Sequence, residues 1–75
     1  MVTVRRFGKA RITILTGDHL PPHFHVDTPE GELCVDLTSG EVKGDKTARR
    51  SGKVALEWAA ENRDSLFTIW QELNP

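Results

Sequence analysis

Two histidines on one predicted strand are the residues of this chain best placed to do chemistry. His23 and His25 lie in residues 23–27, where polar and apolar side chains alternate. This period of two is typical of a half-buried strand, so both imidazoles share one face with their Cα atoms about 6.5–7 Å apart. Pro21 and Pro22 come directly before the strand and favour a stiff, extended connection into it.

A metal ion is one ligand that such a pair can hold. Zinc accepts nitrogen, sulfur and oxygen ligands, and His23 and His25 would supply two of them. Asp36, Cys34 and His19 are the alternatives for a third ligand. The chain has no CxxC or HExxH motif to make zinc binding specific. Two histidines satisfied by water or carboxylates on an exposed sheet would give the same pattern.

Proton transfer is the second chemistry open to the pair. Two histidines can supply a general base and a general acid near neutral pH, as metal-independent phosphodiester cleavage requires. Arg11 or Arg5 would then stabilise the negative charge of the transition state. This alternative predicts a ribonuclease-like activity with His23, His25 and Arg11 as catalytic residues, although nothing in their spacing demands it.

A cluster of basic residues is the third candidate site. Lys46, Arg49, Arg50 and Lys53 fall in the first turns of a predicted helix, where the helix dipole is already positive. Cations placed there cost roughly 0.3–1 kcal/mol each, so a partner that offsets this cost is expected. A phosphate group, RNA or an acidic surface would do so. The alternative is a solvated charged face with Lys53 near Glu57.

The first part of the chain, residues 1–43, is predicted to form the sheet that positions these side chains. Alternating patterns separated by glycine- and proline-containing turns predict an antiparallel meander of four to five strands. The expected strands cover residues 2–7, 10–16, 23–27 and 32–37, with a short edge strand at 41–43.

The second part, residues 47–73, is predicted to be helical because apolar side chains recur there at helical spacing. Asn62 and Asp64 favour a break near 62–64, which gives two helices; one long kinked helix is the alternative. Both arrangements lay a face bearing Trp58 and Trp70 on the apolar side of the sheet, which is formed by Ile12, Ile14, Phe24, Val26, Leu33, Val35 and Leu37. The predicted fold class is therefore α+β, with two C-terminal helices packed on one face of the sheet.

The other face of the predicted sheet collects the polar side chains. No segment of the chain remains to cover this face, so we expect it to meet solvent, a ligand or another protein. An open face with exposed edge strands is also compatible with a homodimer. By strand parity its members are Arg11, Thr13, His23, His25, Asp27, Cys34 and Asp36.

Size and composition limit the classes of protein to consider. Seventy-five residues predict a single domain, 1–75. Ten basic and eleven acidic residues leave a net charge of −1, so the whole chain lacks the charge of a nucleic-acid-binding protein. One cysteine and no signal-like apolar segment favour the reducing cytoplasm. No run approaches the roughly 18 apolar residues that a membrane span needs.

Four groups of residues follow one another in a characteristic order. They are Val4 with Arg6-Phe7-Gly8, the segment Asp18-His19-x-Pro21-Pro22-His23-x-His25-Val26, the segment Leu37-x-x-Gly40-Glu41-Val42, and the series Trp58, Glu61-Asn62-Arg63, Leu66 and Trp70. This order resembles the short bacterial proteins known as domain of unknown function 4160. Leu20 stands where that family often has a third proline, and Asn62 where it often has histidine.

The resemblance implies a bacterial protein of a kind often encoded beside a second small protein, in arrangements like toxin–antitoxin pairs. We therefore expect an accessory component that works through contact with a small cognate protein. The ribonuclease-like toxin and the zinc-binding regulator remain the alternatives, so the sequence does not decide whether the protein is an enzyme. The expected contact residues are Asp18, His19 and Asp36 beside the polar sheet face, and Lys46, Arg49, Arg50 and Lys53 at the helix start.

Overall fold

The computed structural model describes residues 2–17 and 21–75, which form a five-stranded antiparallel sheet and three helices. The order of strands in the sheet follows the order in the chain. The predicted α+β class and meander are therefore confirmed. The elements are β1 (Val2–Phe7), β2 (Ala10–Ile14), β3 (His23–Thr28), β4 (Gly31–Asp36), β5 (Val42–Lys43), α1 (Lys46–Ser51), α2 (Lys53–Glu61) and α3 (Arg63–Leu73).

One face of the sheet and the helices enclose the core. Seven apolar side chains from the strands and the turn after β4 point toward the helices, and all are buried as predicted. Fully burying one of the larger aliphatic side chains contributes roughly 1.5–3 kcal/mol. Three alanines on α1 and α2 bring those helices close to the sheet, and Leu66 and Trp70 on α3 complete the core. The seven are Ile12, Ile14, Phe24, Val26, Leu33, Val35 and Leu37.

The prediction of one continuous helix from Thr47 to Glu61 is wrong at Gly52. The backbone leaves helical geometry there (φ −95°, ψ 9°), and the Gly52 N–H donates to the carbonyl groups of Ala48 and Arg50. A Cβ atom at this position would lie 3.1 Å from Val26 Cγ1 and 3.3 Å from Leu33 Cδ1. Gly52 therefore lets the chain turn where it touches the sheet, a tertiary requirement that helical periodicity does not register.

The second helix break lies at residue 62, within the predicted range of 62–64. Asn62 ends α2 and begins α3, and its side chain donates to the carbonyl oxygen of Trp58 at 2.8 Å.

Within the described part of the chain, no helix has both the length and the apolar character that a membrane crossing requires.

Gly44, between β5 and α1, is predicted to be the glycine least tolerant of a side chain. Its φ of +146° is unfavourable for other residues, and a Cβ there would lie 2.5 Å from Leu33 Cδ2 and 3.1 Å from the Glu32 carbonyl oxygen. Gly44→Ala should lower the free energy of unfolding by about 1–3 kcal/mol through backbone strain, and further through this overlap. Denaturant unfolding of the variant measures the loss.

Gly8→Ala is the matched control for that experiment. Gly8 also has a positive φ (+59°), but its added Cβ would have no atom within 4 Å. Its loss should be the smaller of the two, because only backbone strain contributes. Equal losses would show that the Gly44 turn relaxes around a methyl group.

Candidate metal centre

The pairing of β3 with β4 brings two imidazoles and a thiol together. His25 lies directly opposite Cys34, and His23 stands two residues earlier on the same face of β3. One ligand atom from each of the three residues lies within 4.8 Å of the other two. Ligand atoms around a tetrahedral zinc ion are roughly 3.5 Å apart, so small side-chain rotations would bring these three to coordination distance.

The two imidazole rings stand at an angle to each other. Their centroids are 5.1 Å apart and their planes are inclined by 82°. His23 is buried, with 6% of its surface exposed, and the side chain of His25 is 15% exposed. Cys34 is half-buried beside them. This partial exclusion of water strengthens any electrostatic interaction made inside the cluster.

Oxygen atoms of neighbouring groups lie next to one ring nitrogen of each histidine. His23 Nδ1 donates to the Pro21 carbonyl oxygen at 2.7 Å, because a proline carbonyl can only accept. A carboxylate oxygen of Glu32 lies 3.2 Å from His25 Nδ1. Metal-binding histidines usually have a carbonyl or carboxylate beside the nitrogen that does not bind the metal, which orients the ring. Nε2 of His23 is therefore the nitrogen suited to a metal ion.

The expectation that the polar sheet face is open is wrong at its centre. Thr13 is only 2% exposed, and His23 is almost as deeply buried. Thr13 lies between its cross-strand neighbours Thr3 and His25, and the His23 ring packs 5.2 Å from the Trp70 ring of α3. Strand parity assigns a side chain to a face, but the bulk of neighbouring side chains decides whether it meets solvent.

Asp36 faces the cluster but is engaged in a turn. Its Oδ1 atom accepts hydrogen bonds from the backbone N–H groups of Thr38 (2.7 Å) and Ser39 (2.9 Å). These bonds, that of Ser39 above all, lower the pKa of Asp36, and the positive charge of Lys43 contributes further. Of the alternatives for a third metal ligand, the structure brings Cys34 into the cluster and ties Asp36 to the turn. Asp18 and His19 lie outside the described residues.

A cavity of about 240 Å³ opens beside the three candidate ligands. Lys43 and Glu41 line it, and the sequence analysis did not assign them to the site. A place for Lys43 at the site could be inferred only from its position on the short edge strand β5, where it pairs directly with Cys34. The sequence does not fix this pairing, because the register between β4 and β5 depends on how the turn after β4 closes. The cavity is lined by Pro21, His23, His25, Cys34, Asp36, Glu41 and Lys43.

Arg11 lies apart from the histidine pair. It is the cross-strand partner of Asp27, and its Nε atom donates to Asp27 Oδ2 at 3.0 Å. The next pair along the two strands on the same face is Thr13 with His25, which separates Arg11 from His23. The catalytic role of Arg11 stays a prediction.

The basic residues do not crowd the first turns of a single helix, and that part of the prediction is wrong. The break at Gly52 puts Arg49 and Arg50 in the last turn of α1, where the helix dipole stabilises positive charge. Lys46 begins α1 and Lys53 begins α2. Arg49 also donates to the Val42 carbonyl oxygen at 2.6 Å. A binding role for these residues stays a prediction. It no longer has the support of four cations gathered at the start of one helix.

The low pKa of Asp36 predicts a specific contribution to stability against acid. A carboxyl group whose pKa is lower in the folded state stabilises the fold above its unfolded pKa of 3.8, and this contribution is lost as the pH falls through the folded pKa. When the pH is lowered from neutral to about 3, the free energy of unfolding should therefore fall less for Asp36→Asn than for the wild type. Denaturant unfolding at both pH values measures this difference.

Glu41→Gln is the control for this prediction. It removes a carboxylate from the same turn without disturbing the two N–H groups that bind Asp36. This variant keeps the Asp36 carboxylate and should therefore lose more stability on acidification than Asp36→Asn does. An Asp36→Asn protein as sensitive to acid as the wild type would contradict the role assigned to the turn.

Comparison with known proteins places the chain in a family. Searches of curated proteins and of solved structures found no match. A family model matches residues 10–71, which run from the start of β2 into α3 and contain all three candidate metal ligands. The match covers most of the chain and agrees with the resemblance seen in the sequence. The chain therefore belongs to the family described as Domain of unknown function (DUF4160).

Proposed function

We propose that this protein is a small zinc-binding protein that holds the ion with His23, His25 and Cys34. The observation that carries the proposal is the approach of three ligand atoms, from two strands, to within 4.8 Å of one another. Two imidazoles and a thiolate form a donor set that suits zinc, whereas magnesium and calcium prefer oxygen ligands. The proposal is the zinc-binding regulator among the alternatives left by the sequence.

The surroundings of the two imidazoles support this choice. The Pro21 carbonyl oxygen accepts a hydrogen bond from His23 Nδ1, and a carboxylate oxygen of Glu32 lies near His25 Nδ1. His23 can thus direct Nε2 toward the ion without rearrangement of the backbone. Outer groups of this kind typically change metal affinity about 10–100-fold when they are removed.

The same geometry gives less support to the metal-independent ribonuclease. That mechanism needs the imidazoles to exchange protons with an RNA phosphodiester, and His23 is buried with Nδ1 bonded to a backbone carbonyl. It also needs Arg11 close to the reacting phosphate, whereas Arg11 binds Asp27. The role in a toxin–antitoxin-like pair concerns a partner protein. It is compatible with a metal centre and stays a separate prediction.

Zinc binding is tested on protein purified without a histidine tag, stripped with chelator and titrated with zinc. We expect one zinc ion per chain by elemental analysis. Thermal and denaturant unfolding should show a gain in stability, about 2.7 kcal/mol at a free zinc concentration one hundred times Kd. Cys34→Ala and His25→Ala should each weaken binding by at least the roughly 10–100-fold typical of outer groups. Glu32→Gln should weaken it less.

Asp27→Asn is the matched control variant. Asp27 shares the face of β3 with His25 and lies two residues away, but it binds Arg11 and lies outside the cluster. Its zinc affinity should equal that of the wild type. A folded wild-type protein that is not stabilised by zinc would overturn the proposal, and so would Cys34→Ala and His25→Ala proteins that bind zinc as tightly as the wild type.

A further inference from the structure

We infer that the metal centre takes a small monocarboxylate as an additional ligand, with one oxygen on the ion and the other held by Lys43. This inference rests on the proposed zinc site. It assigns a ligand class to the cavity beside that site.

The described residues provide three ligands for an ion that prefers four. Across residues 2–17 and 21–75, no other histidine, cysteine or carboxylate group joins the His23, His25 and Cys34 cluster. Asp36, the nearest candidate on the same face, is held by the two backbone N–H groups of its own turn. Zinc sites with three protein ligands usually carry water or an exchangeable molecule in the fourth position, unlike closed structural sites.

All three ligand residues line the wall of the cavity, so a molecule in the cavity would lie beside an ion that they hold. Lys43 lines the same cavity and pairs with Cys34 across β4 and β5. Directly paired residues on one face have Cβ atoms about 4.5–5.5 Å apart. The long, flexible side chain of Lys43 can therefore reach a molecule bound to the ion beside Cys34.

Among anionic ligands, the charges around the cavity favour a monoanion over a dianion. A zinc ion with one thiolate carries a net charge of +1 and Lys43 adds another, while Asp36 and Glu41 contribute −1 each. The sum is zero before a ligand enters. A carboxylate leaves one negative charge in the cavity, whereas a phosphate dianion would leave two beside existing carboxylates. The volume of about 240 Å³ is below the roughly 300–1,000 Å³ of pockets for drug-sized ligands, so it suits a small acid.

The test uses the full chain loaded with Co²⁺ in place of zinc, because the visible spectrum of Co²⁺ reports changes in its ligands. Titration with acetate should change this spectrum with saturation at one acetate per chain. Lys43→Met should weaken acetate binding by about tenfold or more without lowering Co²⁺ affinity. Inorganic phosphate should bind more weakly than acetate.

Lys9→Met is the matched control, since it removes the same charge from an exposed position that does not line the cavity. It should bind acetate as the wild type does. Lys43 is itself exposed, so its variant should remain folded, which circular dichroism verifies.

Each contrary result would contradict a different claim about the site. Co²⁺ that binds but does not respond to acetate would overturn the inference and leave the metal site standing. Equal weakening by both lysine variants would overturn the role of Lys43, and tighter binding of phosphate would overturn the ligand class. Absence of Co²⁺ and zinc binding would overturn the inference together with the proposed function.

Discussion

The pairing of β3 between β2 and β4 is the constraint on which the rest of this structure depends. Phe24 and Val26 point from β3 into the core, while His23 and His25 point to the other face. Because side chains alternate along a strand, a shift of one residue in register would exchange the two sets. The same hydrogen-bonded ladder therefore holds the core together and keeps the imidazoles opposite Cys34 and Asp36.

The proline segment before β3 connects this ladder to the candidate site. The Pro22 carbonyl oxygen accepts from the Leu37 N–H at 2.9 Å, just beyond the end of β4, and the Pro21 carbonyl oxygen accepts from His23. Proline has a restricted φ, so these two carbonyl groups are held in place at little further entropic cost. A segment that looks from the sequence like a stiff connector thus also orients an imidazole ring.

The site lies at the boundary between the core and the surface of a small domain. His23 packs against Trp70, which is itself a core residue, while Lys43 and Glu41 on the other side of the cavity are exposed. A buried imidazole must find hydrogen-bond partners, since an unsatisfied polar group in the interior costs free energy. Stability and the geometry of the candidate metal centre are therefore coupled through His23, whereas Lys43 can change with little effect on the core.

The amino-acid sequence by itself determined the class of fold, the composition of the core face and the position of the histidine pair. These features follow from local periodicity, which alternates side chains along strands and groups them along helices. Only the tertiary structure selected Cys34 over Asp36 as the third candidate ligand and placed Lys43 in the cavity. It also decided the helix break at Gly52. These outcomes depend on cross-strand register and on close packing between elements distant in sequence, which residue spacing within one segment does not encode.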